Sequence, residues 1–287
     1  MSIAIVKLRS RALFMNTDFA VVLPDPGFGQ TYEKGKKYKV LWLLHGAGND
    51  YTEWLYGAHL TTHLRGHDTI VVLPSAQNSD YGCYPDFGTG YDFPKFFFEE
   101  LMPYIYANFP ASPKPEDNFI AGASMGGYGS MMLGLMHPDK FGGIAAYGSS
   151  MRESEFLEPY TGMTGAEFRT YAMAHRTEFR TEYGNRAEGI KPKEINVIAK
   201  YPTVQAFLDS DECMFRRFPE KMKEYKLPPM YITVGTEDLF YEPTLRFKAY
   251  ADSLGADNIT YWFAEGYGHG GGLWELSLKE TIKMFDL

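Results

Sequence analysis

Cysteine is scarce in this chain. Cys83 and Cys213 are the only two among 287 residues; a single disulfide between them is open in principle, but the spacing suggests neither a disulfide framework nor a Cys-based metal site. Basic tracts are missing too. Lys and Arg number 28 against 36 Asp and Glu, a formal charge of −8, so nucleic acid is not an expected partner. No apolar run approaches about 18 residues, so no membrane-spanning helix is expected. The opening MSIAIVKLRSRALF lacks the apolar segment and cleavage site of a secretory leader, and a cytoplasmic location is the expectation. Neither a P-loop nor a dinucleotide fingerprint occurs. His59, His63 and His67 recur every fourth residue. Gly66 interrupts the helix and no Cys or carboxylate falls in register, so they read as a solvated or partly buried face, not a metal site. No cofactor is expected, and nothing in the sequence speaks to oligomeric state.

What is present is a chain of mixed strand and helix character, rich in rings at 16% aromatic residues, which can fill a core or line a cleft. Ala4–Leu8 and Asp18–Leu23 read as two early strands, paired antiparallel. KVLWLL at Lys39–Leu44 is nearly all apolar, as a strand covered on both faces must be. Thr69–Leu73, Asn118–Ala123, Gly143–Tyr147, Met230–Val234 and Ile259–Phe263 continue the series. Helical patterns lie between them at Tyr51–Leu64, Phe93–Asn108, Gly126–Met136, Thr244–Leu254 and Leu273–Phe285. Such alternation predicts a mainly parallel sheet with helices on both faces. Residues 151–228 break the rhythm with charged and aromatic residues, four glycines (Gly162, Gly165, Gly184, Gly189) and short helical patterns at Val204–Leu208 and Phe215–Tyr225. The segment is too long for a plain loop. It reads as an excursion or small cap between late strands of a single domain spanning 1–287.

Gly122-Ala123-Ser124-Met125-Gly126 fits G-x-S-x-G, follows the strand NFIAGA and opens the helix GGYGSMMLGLM. A nucleophile elbow requires that context, a sharp strand-to-helix turn that strains the serine and exposes its hydroxyl at the carboxyl end of the sheet. The flanking glycines let strand and helix approach without a Cβ clash, and the helix N-terminus favours developing negative charge. Gly127 and Gly129 read as packing positions.

A second turn, Leu43-Leu44-His45-Gly46-Ala47-Gly48, ends the KVLWLL strand. Acyl transfer builds charge on a carbonyl oxygen, and backbone amides aimed at it stabilise that charge. The amides of Ala47 and Met125 are the candidate oxyanion hole, with Gly48 the alternative to Ala47. His45 is expected to hold the loop through its ring nitrogens.

The order serine, acid, histidine that follows a nucleophile elbow leaves His137, His175 and His269 as bases. His137 sits late in the nucleophile helix and His175 in the excursion. His269 follows the last strand, within Gly266-Tyr267-Gly268-His269-Gly270, and is the candidate general base. For the acid, Val234-Gly235-Thr236-Glu237-Asp238 follows the strand MYITV. Asp238 is preferred over Glu237, to orient the imidazole and stabilise the imidazolium. Tyr84, Phe87 and Tyr91 are candidate pocket walls, with loop packing the alternative. Cys83 stands in the same loop without a catalytic part.

LLHGAGND, GASMGGYG, VGTEDLFYE and a C-terminal histidine ahead of a Trp-containing helix resemble the Putative esterase family. That family comprises esterase D-like, tributyrin-esterase-like and feruloyl-esterase-like serine hydrolases. The resemblance covers most of residues 38–287 outside 151–228, and includes Pro85–Pro110 with Tyr91. It implies an α/β-hydrolase fold, a mainly parallel sheet flanked by helices with an insertion or small cap between late strands. It also implies Ser124, Asp238 and His269 as catalytic triad. Relatives often place an acidic residue and then Trp directly after the histidine. Here Gly270-Gly271-Gly272-Leu273 intervene before Trp274, which stands as a candidate substrate contact.

Members of the family cleave short acyl esters, acyl groups on plant polysaccharides, or thioesters. The expectation is a serine carboxylesterase acting on a small-molecule or saccharide ester (short-chain, acetyl or feruloyl) through an acyl-enzyme. Alternatives are acyl transfer, thioester hydrolysis of the S-formylglutathione type, or a hydrolase-fold binding protein without activity.

Overall fold

Alternating apolar residues build the sheet from inside. In Lys39–Leu44, Val40, Trp42 and Leu44 enter one apolar cluster while Leu41 and Leu43 enter another, because successive side chains of a strand point to opposite faces. Each fully buried side chain of this kind contributes about 1.5–3 kcal/mol of transfer free energy. The computed structural model describes residues 1–27, 31, 33–149, 151, 154–179 and 192–287; Gly184 and Gly189 of the expected excursion lie outside them.

The main sheet is assembled from β1 (Ser2–Arg9), β2 (Asn16–Leu23), β3 (Lys39–Leu44), β4 (Thr69–Pro74), β7 (Asn118–Ala123), β8 (Gly143–Tyr147), β9 (Met230–Gly235) and β10 (Ile259–Ala264). The short strands β5 (Cys83–Tyr84) and β6 (Tyr91–Asp92) form a separate hairpin. The spatial order is β1-β2-β4-β3-β7-β8-β9-β10. β1, β2 and β4 pair antiparallel, and all pairs from β4 to β10 are parallel. The expected mainly parallel sheet is therefore present, with an antiparallel edge.

The helices are α1 (Thr52–Tyr56), α2 (Leu60–His63), α3 (Phe93–Lys95), α4 (Met102–Asn108), α5 (Met125–Met136), α6 (Gly165–Ala174), α7 (Pro192–Ala199), α8 (Val204–Leu208), α9 (Met214–Glu224), α10 (Tyr241–Ser253) and α11 (Gly271–Met284). One face of the sheet packs on α4, α5, α9 and α10, and the other on α1, α2 and α11.

Two expected helices differ in form. The single helix anticipated over Tyr51–Leu64 is two, broken where Ala58 and His59 take φ of 52° and 46°. On one unbroken helix Leu60 would lie about 140° round from Leu55, yet both are buried in the same cluster, and the break re-aims the chain to allow it. Between α3 and α4 the helix widens into a π segment, Phe96–Leu101. Pro103, two residues beyond it, cannot donate an amide hydrogen, which disfavours regular helical pairing there.

Between β8 and β9 the chain leaves the sheet for α6, α7, α8 and α9. Leu157, Phe168, Ile195, Phe207, Leu208 and Cys213 form a cluster of their own. Thr164 and Glu167 close a capping box at the start of α6, which satisfies amides that the first turn leaves open. Met214, Phe215 and Phe218 of α9 return to the main core.

Candidate active site

The serine turn is as tight as its glycines allow. Ser124 adopts φ 54° and ψ −116°, a region costly for a residue with a side chain. A Cβ on Gly122 would come within 2.4 Å of the Gly126 carbonyl group, and one on Gly126 within 2.2 Å of the Leu44 oxygen. Strand β7 and helix α5 thus pack backbone to backbone against the end of β3. The Ser124 amide donates to the Tyr147 oxygen at 2.8 Å and ties the elbow to β8.

β9 and β10 supply the other two groups. His269 Nε2 lies 2.9 Å from Ser124 Oγ, and His269 Nδ1 lies 2.9 Å from Asp238 Oδ2. The Asp238 side chain has no solvent exposure, and that of His269 has 27%. Asp238 Oδ1 accepts the Phe240 amide at 2.9 Å. The two loops are laced together: Gly266 N donates to Thr236 Oγ1 at 2.9 Å, and Glu237 N to Tyr267 O at 3.0 Å. Glu237 is exposed, so of the two candidate acids Asp238 is the one brought to the imidazole. His175 hydrogen-bonds the Tyr171 carbonyl and His137 packs on Phe98; neither joins this group. Trp274 is buried and meets the His269 ring edge-on, with centroids 5.0 Å apart. Gly148, at φ +48°, leaves the space behind: a Cβ there would stand 2.7 Å from both Asp238 Oδ2 and the Trp274 ring.

The turn after β3 is held by five side chains. Trp54 Nε1 donates to Leu44 O at 2.9 Å, and the Tyr81 hydroxyl to His45 O at 2.8 Å. His45, wholly buried, donates from Nδ1 to Gly46 O at 2.7 Å and accepts the Ala76 amide at Nε2 at 2.9 Å. Because the amide can only donate, the ring is neutral with its proton on Nδ1, and burial holds its pKa below the ordinary 6.5. Gly46 N donates to Glu53 Oε2 at 2.5 Å and Gly48 N to Asn78 Oδ1 at 2.6 Å. Burial pushes the Glu53 carboxyl up despite its bonds to Gly46 and Asn49. Among the described residues, no hydrogen bond engages the Ala47 amide. Met125, first residue of α5, likewise has no earlier turn to donate to. Glu53, seven residues from Gly46, and Asn78, thirty from Gly48, carry no signal in the sequence beyond being polar.

Beside Asn78 opens an apolar cavity of 340 Å³ lined by Met15, Gln77, Asn78, Ser79, Tyr84, Phe87 and Tyr91. Tyr84 and Tyr91 thus reach a shared cavity, with the Tyr91 hydroxyl donating to Ala76 O at 2.8 Å. Trp274 is not among the lining residues. Burial pushes the Cys83 thiol up to about 11, so it stays protonated near neutral pH, a poor nucleophile. The histidine series has a carboxylate that spacing did not reveal: His59 Nδ1 and His63 Nε2 lie 3.0 and 2.9 Å from Glu275 Oε1, on α11. No group of three metal-ligating residues able to hold an ion is found among the described residues. No described helix is long and apolar enough to cross a membrane.

A strained serine at the carboxyl edge of a mainly parallel sheet, joined through imidazole to a buried carboxylate, defines a protein of the α/β-hydrolase class. The profile of the Putative esterase family matches residues 10–271, and the chain belongs to that family. It is 27% identical over 289 residues to an acetyl esterase of Caldicellulosiruptor saccharolyticus, covering 99% of this chain and 97% of that one. A substrate-bound fluorophosphonate-binding serine hydrolase of Staphylococcus aureus superposes with TM-score 0.73 at 22% identity, over 99% of this chain and 98% of its own. An S-formylglutathione hydrolase from the same organism superposes with TM-score 0.73 at 21% identity, over 99% and 98%. These last two show a shared fold.

Proposed function

We propose that this chain is a serine carboxylesterase working through an acyl-enzyme, with Ser124 as nucleophile, His269 as general base and Asp238 as its orienting acid. The observation that carries the reading is the unbroken hydrogen-bonded series Asp238–His269–Ser124. Ser124 Oγ attacks the ester carbonyl as its proton passes to His269 Nε2. The imidazolium is stabilised by the Asp238 carboxylate. The tetrahedral oxyanion is received by the amides of Ala47 and Met125. Collapse expels the alcohol, which takes the proton from His269. Water then attacks the acyl-enzyme with His269 again as base and releases the acid.

Ala47 is favoured over Gly48 because the Gly48 amide is already engaged by Asn78. Tyr84 and Tyr91 are proposed as walls of the acyl pocket, since their cavity adjoins the oxyanion turn through Asn78. Trp274 is assigned to the same site at its other side, against the His269 ring. The likeness to an acetyl esterase over nearly the whole of both chains supports carboxylic esters as substrates and an acyl group at the short end of the range.

The test is a series of p-nitrophenyl esters of rising chain length, alongside methyl ferulate and acetylated xylan, with wild type and Ser124→Ala. Hydrolysis abolished in the variant, together with fluorophosphonate labelling of wild type at Ser124, supports the reading. Unchanged turnover in Ser124→Ala rules it out.

A further inference from the structure

The segment between β8 and β9 takes no part in the chemistry above, yet it reaches the cavity wall at Tyr84. Lys200, after α7, places Nζ 2.5 and 2.7 Å from the two carboxylate oxygens of Glu212, which precedes α9. The side chains are 10% and 6% exposed. Two charges withdrawn from water need good geometry and further partners to offset their lost hydration, and both are present. Glu212 Oε1 also accepts the Cys83 amide at 3.2 Å. The Lys200 ammonium stands 3.9 Å from the centre of the Tyr84 ring, within cation–π range. The Glu212 backbone oxygen accepts the Tyr128 hydroxyl at 2.7 Å, and Tyr128 is one turn along α5 from Ser124. The ion pair therefore joins the excursion to the β5–β6 hairpin, and the Glu212 backbone ties the same point to the nucleophile helix.

That hairpin needs such an anchor. Its ladder consists of two residue pairs, Cys83 with Asp92 and Tyr84 with Tyr91, and so short a hairpin has little stability of its own. Stability alone does not explain a buried Lys–Glu pair, because well-packed apolar residues of similar volume serve stability as well or better. A charged pair does what an apolar filling would not. It directs a cation at one ring and a carboxylate at one amide, both belonging to the strand that carries Tyr84.

We propose that Lys200 and Glu212 are a positioning pair through which the α7–α9 stretch of the excursion sets the acyl pocket at Tyr84, and with it the preference among acyl groups. The inference rests on the reading of the Tyr84–Tyr91 cavity as the acyl pocket. The pair touches neither Ser124 nor His269. Its effect is expected on discrimination between substrates, not on the reactivity of the serine.

The experiment compares wild type with Lys200→Met, Lys200→Arg, the double variant Lys200→Met/Glu212→Met, and Tyr84→Ala. The readouts are kcat/KM for p-nitrophenyl acetate, butyrate and octanoate, and the rate of Ser124 labelling by a small fluorophosphonate. Lys200→Met is expected to change the octanoate-to-acetate ratio of kcat/KM roughly tenfold, chiefly through KM, with labelling kept. Lys200→Arg restores the ratio. The double variant, which removes both charges of the pair together, repeats the change and stands in if Lys200→Met does not fold. A labelled double variant with the wild-type ratio, beside a Tyr84→Ala whose ratio moves, overturns the positioning role and leaves the pocket reading intact. If Tyr84→Ala also leaves the ratio unmoved, the pocket reading fails and this inference with it.

Discussion

Asn78 takes the amide of Gly48 at 2.6 Å from its Oδ1, which leaves Ala47 rather than Gly48 as the donor of the proposed oxyanion hole. The Gly46 amide on the other side is taken by Glu53. The Ala47 amide is left between two clamped neighbours, aimed by them without a partner of its own. Deleting an oxyanion donor costs about 10²–10³ in rate, and releasing one clamp of a donor should cost less. Asn78→Ala is expected to lower kcat by about tenfold to a hundredfold with little change in KM. Steady-state kinetics check this, and a variant in which only KM rises would move Asn78 from the turn to the pocket.

In the proposed mechanism the serine, imidazole and carboxylate work as a unit, so their losses are expected not to be additive. Ser124→Ala and His269→Ala are each expected to lower kcat by about 10⁶, and combining them to cost little more. Asp238→Asn keeps the shape but favours the wrong imidazole tautomer, and is expected to cost about 10⁴. Single-turnover and steady-state rates on one p-nitrophenyl ester test all of these.

His45 makes stability depend on pH. Burial lowers its folded pKa below the ordinary 6.5, so the unfolded chain binds the proton more readily. Its contribution is complete above pH 6.5 and declines as pH falls from there through the folded pKa. Glu53, raised by burial, has the opposite sign, because its folded form holds the proton longer. The His45 part is isolated by comparison with His45→Gln. Urea midpoints measured from pH 8 to about 5 are expected to fall more steeply for wild type than for the variant. Parallel curves would show that His45 is not the sensing group.

Gly148 gives the buried acid its room. In Gly148→Ala the new Cβ would stand 2.7 Å from Asp238 Oδ2 and from the Trp274 ring, on a backbone at φ +48°. A loss of about 1–3 kcal/mol in stability is expected from strain and overpacking, with at least about a tenfold drop in kcat from displacing the His269 support. Thermal unfolding and kcat are the two measurements. A fully active, equally stable variant would mean that Trp274 gives way easily.

The parts legible in the sequence are those with a local signature. KVLWLL and NFIAGA are apolar without interruption because both faces of β3 and β7 are covered. G-x-S-x-G betrays the elbow because Gly122 and Gly126 have no room for a side chain. Asp238 and His269 follow from their places after β9 and β10, where chain order alone narrows the choice. Less legible were the break at Gly57–His59, which answers to where Leu55 and Leu60 must both pack, and Glu275, which meets His59 and His63 from a helix over two hundred positions away.

By itself, then, the order of residues determined the sheet, the strained serine and the identities of its two partners, since hydrophobic periodicity, the G-x-S-x-G spacing and chain order are written along the sequence itself. Only the folded chain decided which amide of the glycine turn stays available, which nitrogen of His45 carries its proton, and that Lys200 and Glu212 would meet beneath Tyr84. Those outcomes depend on polar groups distant in sequence finding one another inside a core where an unmatched donor or charge is costly.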